Sequence, residues 1–200
     1  LYVNSMRWPP RPKYFRYFGF NSCRWVGGKP KARQMSFLYA GFGPDFPGYM
    51  RRVVARAHVT VPNVTEACLL TGTPYRETED LSWWRDLLRR VGDLGPRCPV
   101  LTGVPFGPDR LGVMALDPES GGIFQYHTPR VHDHFHGTGD IFSAACAGAM
   151  VRGKGLPDAL RLAADFTLAC IQATQRDPNA PWYGVEFEKA LHLLPGLLER

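Results

Sequence analysis

Residues His136-Gly137-Thr138-Gly139-Asp140 stand immediately before the apolar, helix-forming run Ile141-Phe142-Ser143-Ala144-Ala145-Cys146-Ala147-Gly148-Ala149-Met150. Two glycines flanking a small hydroxyl residue let backbone N–H groups converge at a helix N-terminus, where partial positive charge attracts phosphate oxygens. Gly137, Thr138 and Gly139 are therefore candidate anion-hole residues. Asp140 closes the turn beside that hole, where a carboxylate accepts a proton from an attacking alcohol. The chemistry this spacing suggests is phosphoryl transfer to a hydroxyl group. A glycine turn that merely caps a helix has the same pattern, so the reading needs a second segment.

That segment is Val59-Thr60-Val61-Pro62-Asn63-Val64-Thr65-Glu66-Ala67-Cys68-Leu69-Leu70-Thr71-Gly72. It reads as a short β-branched strand stopped by proline, then a helix with a carboxylate in its first turn. With the helix starting at Asn63, Asn63 and Glu66 point from the end of the strand toward the crevice where open α/β sheets bind ligands. One reading is an N-cap Asn with a Glu completing a capping box. The other, favoured by the glycine motif, is a carboxylate that holds hydrated Mg²⁺ near phosphates.

The elements that must position these groups follow in a regular order from residue 38. Helices are expected at 45–57, 63–70 and 78–91, the last capped by Thr78 with Leu81, Trp84, Leu87 and Leu88 on one face. Strands are expected at 59–61, 99–102, 111–116 and 122–127, the last two joined by the turn-forming 117–122. Further helices are expected at 141–152, 157–175 and 185–193. Strands alternating with helices, plus an antiparallel hairpin before the anion hole, describe an α/β sheet with helices on its faces.

On these residues the chain resembles the ribokinase-like small-molecule kinases, most closely the pyridoxal/pyridoxamine kinases. Val61-Pro62-Asn63-Val64-Thr65-Glu66-Ala67 with Leu69-Leu70-Thr71-Gly72, followed by His136-Gly137-Thr138-Gly139-Asp140, is similar to that family's two signature segments in their expected order. The resemblance runs from about residue 38 to the C-terminus. It implies a ribokinase-like sheet and ATP-dependent phosphorylation of the 5′-hydroxymethyl group of a B6 vitamer. Asp140 would be the base and Gly137 to Gly139 the anion hole. It also implies Asn63 and Glu66 as Mg²⁺ and phosphate positions, and Thr102 as a position that meets the nucleotide phosphates. Val61 stands where the family often has threonine, which removes a hydroxyl from any monovalent-cation (K⁺) site.

Family members carry a further N-terminal half, with most vitamin-binding residues and an Asp-Pro-Val-x-x-Asp motif just before a Leu-Tyr like Leu38-Tyr39. Residues 1–37 show neither that motif nor an apolar period of 2 or 3.6. The expectation is a basic leader, disordered or mistranslated, on 38–200 as the C-terminal part of a kinase domain that lacks the N-terminal half of its fold. Eight of the 24 Lys and Arg, and none of the 18 Asp and Glu, fall in that leader, so the net charge of +6 belongs to it. A basic, aromatic-bearing arm is a candidate for nucleic acid or an anionic membrane, but its aromatics and prolines follow no pattern, and neither partner is expected. No apolar run is long enough for a span or a signal-peptide core. Five scattered cysteines without a C-x-x-C pair fit reduced thiols in a cytoplasmic protein. A small-molecule substrate is the expected partner, and a homodimer is left open.

Three other readings stand beside this one. His132, His134 and His136 alternate, so on an extended strand their rings would share a face and could hold Zn²⁺ for a metal-dependent hydrolase. A hydroxymethylpyrimidine-type kinase would use the same phosphate machinery on a different alcohol. A nucleotide-binding remnant without catalysis is the third.

Overall fold

The computed structural model describes residues 17–18, 45–78, 80–118, 120–133, 135–180 and 184–199. Five strands form one sheet in chain order: β1 (Tyr17–Phe18), β2 (Val59–Thr60), β3 (Cys98–Pro105), β4 (Arg110–Leu116) and β5 (Ile123–Pro129). The first three run parallel, with Val59 opposite both Tyr17 and Cys98. β3, β4 and β5 are antiparallel neighbours. The sheet is therefore mixed, and β3 is the strand at which parallel pairing gives way to antiparallel. Tyr17–Phe18 lies inside 1–37; the rest of that stretch is outside the described residues.

Side chains alternate along the strands and sort the core into two layers. Val100, Val113 and Ala115 join Val59 and Val61 on the face covered by α4 (Thr138–Val151) and α5 (Leu156–Gln175), which contribute Phe142, Cys146, Leu160 and Ala163. Leu101, Val104 and Met114 face the opposite way, onto α2 (Val64–Thr71) and α3 (Leu81–Gly92) through Ala67, Cys68, Trp84, Leu87, Leu88 and Val91. A helix α1 (Phe46–Val54) precedes β2 and is tied to α2 where the Arg51 Nε–H donates to the Leu70 carbonyl at 2.6 Å. The α/β architecture with helices on both sheet faces is the one the sequence predicts.

Several boundaries differ from the sequence expectation, each for a local reason. The cap of α3 is Asp80 rather than Thr78, because the Asp80 carboxylate accepts from the Ser82 N–H at 2.8 Å while Thr78 Oγ1 accepts from Asp80 N–H at 3.0 Å. Leu81 is exposed, and Val91 completes the buried stripe in its place. β3 runs three residues past Thr102 through a register shift in which Gly103 adopts φ +72°. The expected last helix is a 3-10 turn, Phe187–Leu193, followed by α6 (Leu194–Leu198). Pro195 has no N–H with which to carry a regular helix across that junction.

β4 and β5 come unusually close at Gly112, where a Cβ would lie 2.1 Å from the Tyr126 carbonyl oxygen and 2.7 Å from the His127 Cα. No described helix is long and apolar enough to cross a membrane.

Candidate active site

The parallel pair β2–β3 ends in a cluster of the expected residues. Thr102 N–H donates to the Pro62 carbonyl at 3.0 Å, and Asn63 pairs with Thr102 in a single parallel bridge beyond the regular ladder. Pro62 cannot donate, so this contact is made through its carbonyl, two residues past the last residue of β2. Asn63 and Thr102 are both half-buried and lie side by side at the end of the parallel strands. Val61, two residues before Asn63, turns inward and is 4% exposed in the same apolar cluster as Phe142 of α4. It brings no side-chain oxygen to the site.

Asn63 caps α2, and the capping box of the sequence reading is fully formed. The Asn63 N–H donates to Glu66 Oε2 and the Glu66 N–H donates to Asn63 Oδ1, both at 2.9 Å. Glu66 is nevertheless not an ordinary capping residue, since it is only 4% exposed and takes part in no ion pair with a described residue. Burial pushes its carboxyl up from the usual range to about 8, against the downward pull of the two bonds with Asn63.

The second half of the site is the start of α4. Gly137 is its N-cap at φ +84°, in the left-handed region open to glycine, and its carbonyl accepts the first helical bond from Ile141 N–H at 3.1 Å. The N–H groups of Thr138, Gly139 and Asp140 precede that bond and have no acceptor within the helix. Asp140 sits in the first turn with its side chain exposed, while Gly137, Thr138 and Gly139 are half-buried. The turn thus offers donors for an anion and an accessible carboxylate next to them. Val61, just past β2, and Phe142 of α4 belong to the same buried apolar cluster, on the sheet face that α4 and α5 cover.

Of the alternating histidines, His132 and His136 are not on a strand. β5 ends at Pro129, paired with Arg110 at the start of β4, and one further bond, from the Arg130 N–H to the Asp109 carbonyl at 2.8 Å, lies two residues before His132. His132 and His136 are exposed, His134 lies outside the described residues, and Asp133 accepts a bond from Gln175 Nε2 at 2.9 Å. Among the described residues no three His, Cys, Asp or Glu side chains are gathered as a metal site. The four described cysteines, Cys68, Cys98, Cys146 and Cys170, are buried and unbridged; Cys23 lies outside the described residues.

The model of the phosphomethylpyrimidine kinase family matches residues 45–180. A hydroxymethylpyrimidine/phosphomethylpyrimidine kinase of Streptomyces coelicolor is 28% identical over 123 residues, covering 61% of this chain and 44% of that protein. The pyridoxal kinase PdxY of Rubrobacter xylanophilus is 30% identical over 138 residues, covering 66% of this chain and 46% of that protein. A Bacteroides thetaiotaomicron structure, described as a phosphomethylpyrimidine kinase and crystallised with pyridoxal, superposes with a TM-score of 0.73 at 31% identity. It covers 80% of this chain and 56% of its own. The chain spans about half the length of the relatives it matches. With its mixed sheet, its Asn63–Thr102 junction and its glycine turn, the chain belongs to the phosphomethylpyrimidine kinase family within the ribokinase-like superfamily.

Proposed function

We propose that the chain serves in transfer of the γ-phosphoryl group of ATP to a hydroxymethyl group on a pyridine or pyrimidine ring, with a B6 vitamer as the first candidate acceptor. The observation that carries this is the pairing of an open anion turn at Gly137–Gly139 with an exposed Asp140 in the same helical turn. Asp140 accepts the proton as the acceptor oxygen attacks phosphorus, and the phosphate oxygens are held by the N–H groups at the head of α4. Thr102 and Asn63, side by side in the bridge beyond the β2–β3 ladder, line the phosphate side in this reading.

The donor set fits a hydrated Mg²⁺. Glu66 and Asn63 offer hard oxygen ligands, and Glu66 is a buried carboxyl that pairs with no cation among the described residues. Asn63 Oδ1 and Glu66 Oε2 are engaged with backbone N–H groups, so Glu66 Oε1 is the oxygen left over for the ion's water shell. Bound there, Mg²⁺ would offset the negative charge of the nucleotide phosphates. A monovalent cation gains nothing from Val61, which is buried and apolar.

A hydroxymethylpyrimidine acceptor is the second reading, supported by the Streptomyces coelicolor relative and by the family itself. Calorimetric titration of the purified chain with Mg-ATP, followed by coupled assays with pyridoxal and with hydroxymethylpyrimidine, tests both readings. Binding of Mg-ATP is the expected result. Absence of binding would overturn the kinase reading, and preferential turnover of the pyrimidine would replace the first acceptor by the second.

A further inference from the structure

The glycine turn has irregular backbone on its N-terminal side, yet it must present its N–H groups in fixed directions. What holds it comes from elsewhere in the chain. The Val185 N–H donates to the His136 carbonyl at 3.1 Å, and the buried Val185 side chain is the nearest atom, at 4.0 Å, to where a Cβ on Gly137 would be. Because the His136–Gly137 peptide is planar, fixing its carbonyl fixes the direction of the Gly137 N–H on the opposite side.

Val185 is in turn anchored to the last turn of α5. Glu186 N–H donates to Thr174 Oγ1 at 2.9 Å, and Thr174 Oγ1 donates to the Cys170 carbonyl at 2.8 Å, with Thr174 only 3% exposed. Lys189 adds a clasp at the surface by pairing with both Asp177 and Glu186. The neighbouring α5 residue reaches the other flank of the turn: Gln175 Nε2 donates to Asp133 Oδ2 at 2.9 Å, three residues before His136.

We propose that Thr174 and Gln175 are positioning residues that hold the His136–Gly139 turn in its anion-binding shape, one through Val185 and Glu186, the other through Asp133. The inference rests on the kinase reading for the identity of the anion. It assigns a phosphate-site role to two side chains on the far end of α5 that take no part in the transfer. Loss of either anchor leaves the donors in place but free to turn away from the phosphate.

The test compares Thr174→Val, Thr174→Ser and Gln175→Leu with the wild-type chain in Mg-ATP titrations and in amide hydrogen exchange. Thr174→Val is expected to weaken Mg-ATP binding roughly threefold to tenfold, the worth of one net hydrogen bond. Thr174→Ser is expected to restore it. Exchange is expected to quicken at 136–141 and 184–187 while the amides of β3 and β4 keep their wild-type rates. Gln175 is exposed, so Gln175→Leu folds normally and is expected to lower affinity by roughly twofold to threefold, again by loss of one bond. Wild-type binding that neither variant changes, with only a lower melting temperature, overturns the positioning role alone. A wild-type chain that binds no Mg-ATP overturns the kinase reading and this proposal together.

Discussion

The Asn63 N–H and the Glu66 carboxylate meet at 2.9 Å, and the Asn63 side chain returns an equal bond to the Glu66 N–H. The two readings of this pair from sequence, helix cap and metal-phosphate position, are therefore not exclusive. The box orients a carboxyl that burial has already made a poor place for an uncompensated charge. A capping glutamate at the surface would have no use for a divalent cation; this one is destabilised without some opposite charge.

A pH dependence follows from that carboxyl. Its folded-state value is raised to about 8, above the ordinary 4.5, so the folded chain holds the proton more tightly than the unfolded chain does. The stabilisation is fully present below about pH 4.5 and is lost as pH rises through 8. Glu66→Gln keeps an acceptor for the Asn63 N–H and removes the titration. Urea unfolding across pH 5 to 9 should show the wild type losing stability relative to Glu66→Gln as pH rises. A parallel pair of curves would show that the carboxyl titrates normally. The same variant is expected to need more Mg²⁺ to bind ATP.

Asp140→Asn separates chemistry from binding. With the proposed base removed and the helix N-terminus intact, kcat of this chain joined to the N-terminal half that family members carry is expected to fall roughly 10²–10⁴-fold. Calorimetric affinity for Mg-ATP is expected to stay close to wild type, because the side chain is exposed and lies outside the glycine turn. Turnover at the wild-type rate would remove Asp140 from the reaction.

Gly137→Ala tests backbone conformation without crowding. Space for the methyl exists, since the nearest atom is Val185 Cγ2 at 4.0 Å, but φ +84° is costly for any residue with a Cβ. Roughly 1–2 kcal/mol of stability should be lost. Mg-ATP affinity should fall with it as the first N–H groups of α4 move.

Gly112→Ala tests crowding. A methyl group placed 2.1 Å from the Tyr126 carbonyl forces β4 and β5 apart, and overpacking of this kind costs roughly 1–3 kcal/mol or more. Denaturant midpoints should fall for this variant, whereas Gly148→Ala, which meets nothing within 4 Å on α4, should hold or gain.

The parts legible in the sequence were those written in local patterns. The apolar runs through 99–102 and 111–116, the Asp117–Gly122 turn and the 3.6-residue stripe of α3 each specify an element without help from distant residues. The capping box of Asn63 and Glu66 and the helix start at Gly137 to Asp140 are readable because such local geometry is written within a few residues. Thr174, Gln175 and Val185 were not found. A threonine in the last turn of an apolar helix looks like any other, and its partner Glu186 becomes visible only when the chain has folded back. The 3-10 character of 187–193 and the bulge at Gly103 were hidden for the same reason: both are set by neighbours in space.

The change of pairing at β3 also orders the assembly of the sheet in time. β3, β4 and β5 follow one another through short turns, so their pairing closes small loops and is entropically cheap. The bond from Thr102 to Pro62 joins residues 40 apart, across two intervening helices. Closing that larger loop is slower, and local hairpin contacts form ahead of it. A refolding chain thus has its antiparallel half in place before Asn63 reaches Thr102, and the place where phosphate would sit is completed late.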